Sequence, residues 1–446
     1  MILRTTFENI YSFKEETMIS FVAGKSSVHP DHVSRARKRD DISTLKFGVI
    51  YGANASGKSN VIKGIALIQQ LAVGRFPIGD FEPFKLSTQI KPVSKIEIEF
   101  KTAGKYYAYG VEFSINGIKE EWLYEVNART DKLIFTRKTD ESGNAFEFGE
   151  IHGDSSTSKF MKFLGEGTPI RKTFLSEYME RNGKGICAIK AAYNWFSSGL
   201  RIIFPSTRFR GISFNAEQDE NFHEATRSLL QYFNTGIVDI RRFPVRSKEE
   251  TNLPETLLDK IISSATPGRT GLVTAPESNE FFFFDFKEDG TYTISKQKAV
   301  HRNEAQDEVV FEMDEESDGS IRLLDFIPML IDLGNNEVDY LIDELDRSMH
   351  PLLSQKLIEC YLHDLSDRDT QLIISTHECN LLNLDMIRAD EVWFAEKDKD
   401  GASRLVSLAE YKPRENVRKG YLQGRYSAIP FFAPIETLNW QKNEKA

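Results

Sequence analysis

The sequence predicts an α/β fold organised on a phosphate-binding loop, and three observations carry that expectation. Gly52-Ala53-Asn54-Ala55-Ser56-Gly57-Lys58-Ser59 fits G-x-x-x-x-G-K-[ST]. It is flanked by a short apolar strand pattern over 45–51 and a helical pattern with one buried face over 60–68. Far downstream, Val338-Asp339-Tyr340-Leu341-Ile342 runs into the carboxylates Asp343-Glu344, the form of an apolar strand ending at a metal site.

The loop has a physical logic. Gly52 and Gly57 let the backbone curl so that its N–H groups point inward at phosphate oxygens, and the following helix adds its positive end. Lys58 then reaches the outer phosphates and the Ser59 hydroxyl ligates Mg²⁺. Gly52, Asn54, Ala55, Ser56, Gly57, Lys58, Ser59 and Asn60 are therefore the candidate nucleotide-binding residues, with Ser59 and Asp343 as candidate Mg²⁺ ligands. Glu344, beside Asp343, is placed to polarise an attacking water as general base.

A chain of 446 residues exceeds one average domain, and 40% hydrophobic with 28% charged residues is ordinary for a globular protein. The net charge of −10 excludes a wholly basic nucleic-acid coat but allows a local basic face. Three cysteines make no disulfide framework and suit a reducing cytosol. With no long apolar run at the N-terminus and none of membrane-spanning length, a cytoplasmic protein without a membrane partner is expected.

In chain order, residues 1–22 suggest two strands joined at a turn, followed by a polar stretch ending in the basic cluster at 34–39. Residues 95–100 alternate as a half-exposed strand, 106–115 and 118–126 form a pair across Asn116-Gly117, and 133–137 with 144–151 continue the meander. Residues from 155 to about 230 look largely helical, broken at 165–169 and 204–205. Residues 241–248 form a second basic cluster, read as a charged loop, with 247–280 irregular. The run Phe281-Phe282-Phe283-Phe284-Asp285-Phe286 with 291–294 is a hairpin signal, and its phenylalanines suit a buried strand better than a base-stacking platform. Three regions follow: 1–150 with the phosphate loop and β meander, 151–308 as a mainly helical insertion carrying the hairpin, and 309–446 with the acidic strand.

Three further segments accompany the acidic strand. Glu316-Ser317-Asp318-Gly319-Ser320 stands at the head of a helical pattern, for which an N-cap and turn is the lesser reading of Ser317-Asp318-Gly319. Asp346-Arg347-Ser348-Met349-His350-Pro351 follows the carboxylates, and Leu372-Ile373-Ile374-Ser375-Thr376-His377 is a strand ending in a histidine that could merely cap it. In this order the segments resemble the signature, Walker B, D-loop and switch histidine of the ABC-type heads of RecF, SMC and OLD-like ATPases. Phe7-Glu8-Asn9-Ile10-Tyr11-Ser12-Phe13 is similar to the first strand and turn of such heads. Tyr421-Leu422-Gln423-Gly424-Arg425-Tyr426 and the residues after it resemble the ending of a bacterial branch that includes the anti-phage ATPases of the AriA (PARIS) and RloA/AbiL types. Arg425 is either part of the nucleotide site or a surface residue. The resemblance covers roughly 1–135 and 310–435.

The resemblance implies a P-loop ABC-type ATPase head with an antiparallel β subdomain, using ATP and Mg²⁺. It implies a homodimer, or a higher oligomer of dimers, in which Ser317 and Gly319 of one subunit close over ATP held by Lys58 of the other, Asp346 orders the seam and His377 senses the γ-phosphate. It further implies an anti-phage sensor that restrains a separate effector, a Toprim-like nuclease from an adjacent gene, and answers to a phage-encoded trigger. The alternative is a RecF-like repair or chromosome-maintenance ATPase that binds duplex DNA through the two basic clusters. Gln69, Gln70 and Gln89 are all candidates for the Q-loop glutamine, and zinc at Cys360, His363, His377 and Cys379 has no recognised spacing.

Overall fold

A computed structural model describes the chain except residues 35–40, 77–80, 89–90, 128, 150–154, 182, 184, 246–250, 252, 265, 275–280, 365–367, 414–415 and 427–446. The first basic cluster thus lies almost wholly outside the described residues, as do Gln89 and the tail beyond Tyr426. The chain forms two compact units, one of Met1–Pro205, Glu337–Leu345 and Leu362–Ala446, the other of Ser206–Asn336 and Asp346–Tyr361. These cuts differ from boundaries after 150 and 308, because Leu200–Ile203 pairs in parallel register with Asp339–Ile342 and so belongs to the first unit's sheet.

The first unit holds two sheets. One has six strands in the order Leu200–Ile203, Asp339–Ile342, Gln371–Ser375, Phe47–Gly52, Val392–Lys397 and Ser403–Ser407. The first five run parallel and the last antiparallel. Its three central strands are buried at every position, which is why they read as unbroken apolar runs rather than alternating ones. The register pairs Ile342 with Ile374 and Ser375 with Ile50, so the C-terminal ends of these strands share one edge. Open parallel sheets bind ligands at that edge.

The other sheet is a seven-stranded antiparallel meander, Gly143–Phe148 through Ser94–Thr102, closed by Ile2–Glu8 and Thr17–Ser20. Ser94–Thr102 alternates buried and half-buried residues, as its sequence predicts. The helix Lys58–Ala72 contributes Val61, Ile62, Ile65 and Ile68 to a core shared with Phe7, Ile98, Val111 and Ile373. Its approach to the first strand requires Gly64, where a Cβ would stand 2.4 Å from the Phe7 ring. The tail docks on the six-stranded sheet: Tyr421 and Tyr426 stack on Phe394, and Tyr421 also meets Tyr51.

In the second unit the chain passes through the helices Ile212–Gln218 and Glu220–Tyr232 and then builds a five-stranded antiparallel sheet. The hairpin Phe281–Phe286 with Tyr292–Arg302 is its centre, and Phe282, Phe283 and Phe284 are buried. Beyond the hairpin the sheet gains Asp239–Pro244, Thr270–Thr274 and Glu308–Phe311. The second basic cluster therefore begins in a strand, not a loop. Arg241 and Arg242 hide the alternation there because each lies along the sheet against carboxylates, Arg241 with Asp239 and Glu308, and Arg242 with Glu217 and Asp285.

Candidate functional site

The phosphate loop sits between the strand Phe47–Gly52 and the fifteen-residue helix Lys58–Ala72. Two positive φ angles make its curl, 62° at Ala55 and 113° at Gly57. A Cβ at Gly57 would also lie 2.2 Å from Ser403 Oγ, so glycine is required there twice over. Gly57 leads the helix with no side-chain cap, which leaves first-turn N–H groups open to an anion. Lys58 is buried, and its Nζ donates to the Gly52 and Ala53 carbonyls at 3.0 and 3.2 Å. Ser56 Oγ is buried without a hydrogen-bond partner among the described residues. An uncapped helix, a buried lysine and an orphaned hydroxyl on one loop fit a phosphate chain.

The candidate cation side is equally compact. Ser59 Oγ donates to Asp343 Oδ1 at 2.9 Å, joining residues 284 positions apart. The same oxygen accepts from Ser375 Oγ at 2.6 Å. A hydroxyl and a buried carboxylate in contact at the phosphate loop are the donor set of a hard cation, and they fit Mg²⁺. Glu344 follows with φ of 52°, in the left-handed region a non-glycine residue rarely adopts, and its N–H donates to Ser375 Oγ at 2.9 Å. His377 is exposed just beyond Thr376, whose N–H bonds the Ile50 carbonyl of the phosphate-loop strand.

Asn54 and Ala55 are exposed at the loop's tip, and Asn60 Nδ2 donates to Ser12 Oγ at 2.8 Å. Ser12 and Ser403 are contributors the sequence did not expose. Ser403 Oγ donates to the Ser56 carbonyl at 2.6 Å and lies 2.7 Å from Ser12 Oγ, tying the first turn and the edge strand to the loop. Ser403 sits in no motif, and the resemblance of the first-turn segment does not single out Ser12, so only the fold reveals their contacts with the loop. Beside them opens a cavity of about 580 Å³ lined by Tyr11, Ser12, Asn60, Lys63, Gln70 and Lys397 among others. Of the three glutamine candidates, Gln69 is spent on the Phe196 and Leu200 carbonyls, while Gln70 faces this cavity.

The second unit carries Ser317, Gly319 and Asp346. Ser317 caps the eighteen-residue helix Asp318–Asn335, accepting from the Ser320 N–H at 3.1 Å, and it is exposed. A Cβ on Gly319 would stand 3.2 Å from the Ser348 carbonyl, so the head of this helix lies against the turn that starts at Asp346. Arg322 on the same helix is buried and donates to Asp325 and to the Thr207 carbonyl. Burial pushes the Asp325 carboxyl above its ordinary range, against the Phe209 N–H, Arg208 and Arg322, which hold it down. Arg425 is exposed in the first unit. Among the described residues, Cys360, His363, His377 and Cys379 form no group of three ligand atoms that could share a metal.

A parallel sheet with a phosphate loop on its central strand and a paired Ser59–Asp343 at its carboxyl edge defines a P-loop ATPase head. A family profile described as "AAA domain, putative AbiEii toxin, Type IV TA system" matches residues 47–160 and 201–385, more than half of the chain, and the chain belongs to that family. No curated protein matches. Among solved structures, it is similar to an SMC head bound to the C-winged helix domain of ScpA, at 14% identity over 92% of this chain and 99% of that one, with a TM-score of 0.46. The SMC head domain from Thermotoga maritima follows at 12% identity over 91% and 98%, with a TM-score of 0.40. A third is the SMC head with an extended coiled coil bound to the C-terminal domain of ScpA derived from Pyrococcus furiosus, at 14% identity over 95% and 99%, with a TM-score of 0.35. No helix among the described residues is long and apolar enough to cross a membrane.

Proposed function

We propose that this protein is a Mg²⁺-dependent ATPase whose heads pair around ATP and whose nucleotide state controls a separate toxic effector in anti-phage defence. The observation that carries the ATPase reading is the 2.9 Å contact between Ser59 and Asp343, which gathers the phosphate loop and the acidic strand end into one cation site. Mg²⁺ bound there supplies charge neutralisation for the phosphates. Lys58 and the open helix end hold the phosphate chain, Glu344 accepts a proton from water, and His377 registers the terminal phosphate.

The exposed Ser317 and, two residues on, Gly319 form an anion-accepting helix start suited to a second head. The family's description names a toxin of a toxin–antitoxin system, which supports a role in a two-protein system. A Toprim-like nuclease is the proposed effector and a phage-encoded protein the trigger. Arg241 and Arg242 face in-fold carboxylates, which counts against their serving as duplex-DNA contacts.

The test is Glu344→Gln protein purified from its native host with ATP and Mg²⁺, its mass measured in solution and its companions identified. An ATP-dependent doubling of mass with a stoichiometric nuclease-like companion is expected. Unchanged mass removes the sandwich, recovery of DNA and repair factors alone favours the RecF-like alternative, and toxicity of this chain by itself makes it the effector.

A further inference from the structure

Away from the phosphate loop, His29-Pro30-Asp31-His32 forms a turn whose three ionisable side chains each offer a ligand atom within 4.8 Å of the other two. The surroundings are those of a built site. His32 is buried, and its Nδ1 lies 2.9 Å from Oε1 of Glu391, a fully buried carboxylate. Glu391 Oε2 in turn accepts the Arg388 N–H at 2.7 Å, which fixes the carboxylate and therefore the imidazole. His29 Nε2 lies 3.2 Å from the Leu384 carbonyl. Each ring thus has one nitrogen engaged by a carboxylate or a carbonyl, the kind of outer contact that orients metal-binding histidines. Asp31 is exposed and supplies a carboxylate that can swing.

The turn is also held from behind. Arg388 pairs with Asp390 and donates to the Val28 and Ser26 carbonyls at 2.6 and 3.3 Å, and Asp390 accepts the Gly24 N–H at 2.8 Å. These partners immediately precede the strand Val392–Lys397, which pairs with the phosphate-loop strand. We infer that His29, Asp31 and His32 form a three-ligand site for a divalent transition metal of the zinc class, with Glu391 and the Leu384 carbonyl as its outer support and solvent at the open position.

The ligand set selects that class: two imidazoles and one carboxylate favour zinc, cobalt, nickel or copper over magnesium or calcium, which take oxygen. The two rings now stack 4.8 Å apart at 17°. The three ligand atoms lie within 4.8 Å of one another, and tetrahedral ligands at roughly 2.0–2.1 Å from one ion stand closer together than that outer limit. Closure therefore turns the half-buried His29 ring, which gives up only its longer carbonyl contact, while Glu391 keeps His32 in place.

The full chain, freed of any histidine tag, is titrated with Co²⁺ and read by visible d–d absorption, then with Zn²⁺ by calorimetry. One equivalent at micromolar affinity or tighter is expected. His29→Ala with Asp31→Asn, both away from the buried core, abolishes it at unchanged thermal stability, whereas Asp343→Asn leaves it intact. Glu391→Gln keeps the ligands and weakens binding by about 10- to 100-fold. Failure of the wild-type chain to bind, or binding that survives the His29/Asp31 double variant, overturns the site.

Discussion

Ser375 Oγ donates to Asp343 Oδ1 at 2.6 Å and accepts the Glu344 N–H at 2.9 Å, so one buried hydroxyl positions both carboxyl-bearing residues of the candidate site. A serine has one proton to give and lone pairs to receive with, and both are used here. The arrangement exists because Asp339–Ile342 and Gln371–Ser375 run parallel in register and end side by side.

Ser375→Ala removes both bonds and leaves a backbone N–H short of its partner, which costs about 1–3 kcal/mol of stability. Turnover is expected to fall by about 100-fold through misplacement of Glu344, with nucleotide affinity little changed. Steady-state hydrolysis and fluorescent-nucleotide titration read the two separately. Unchanged turnover would reduce Ser375 to a strand residue.

Lys58→Ala is expected to abolish nucleotide binding, because the lysine is the loop's buried cation. Binding by calorimetry and release of phosphate are the readouts. Full hydrolysis by this variant would remove the phosphate loop from the mechanism.

Gly57→Ala should also lose nucleotide, and the Ser403→Ala background should not restore it. Removing Ser403 Oγ clears the 2.2 Å collision but leaves the Ser12 Oγ and the residue-403 Cβ each at 2.9 Å and a φ of 113° that an alanine rarely adopts. Rescue in the double variant would mean that crowding alone demands glycine.

Glu121 gives a pH prediction. Its carboxylate is fully buried; that burial raises its pKa above the ordinary glutamate value, against the pull of Arg137, the Phe174 and Leu175 N–H groups and Tyr109. The folded state therefore binds this proton more tightly than the unfolded chain, and the stabilisation is complete below about pH 4.5 and lost as pH rises through the folded value. Thermal melts across that window should fall more steeply for the wild type than for Glu121→Gln. Parallel slopes would contradict it.

Arg241→Ala with Arg242→Ala should lower the melting temperature while leaving any affinity for duplex DNA and its salt slope unchanged. Both guanidinium groups are committed to carboxylates on and around their sheet. A reduction of the salt slope by about one per arginine would place phosphates on this face.

The phosphate loop, the Asp343-Glu344 strand end and the meander were legible because each is local: a glycine spacing, an apolar run closed by acids, a two-residue alternation. The strands Leu200–Ile203 and Asp239–Pro244 were not legible. The first has only four residues among helices, and the second carries two arginines whose partners come from elsewhere in the chain. Sequence alone thus determined which chemistry the chain can host, since dihedral preference and side-chain type are properties of neighbouring residues. Tertiary structure decided which residues share a site. Ser59 meets Asp343, Ser403 meets Ser56 and His32 meets Glu391 across hundreds of residues, through strand order and register that no short stretch encodes.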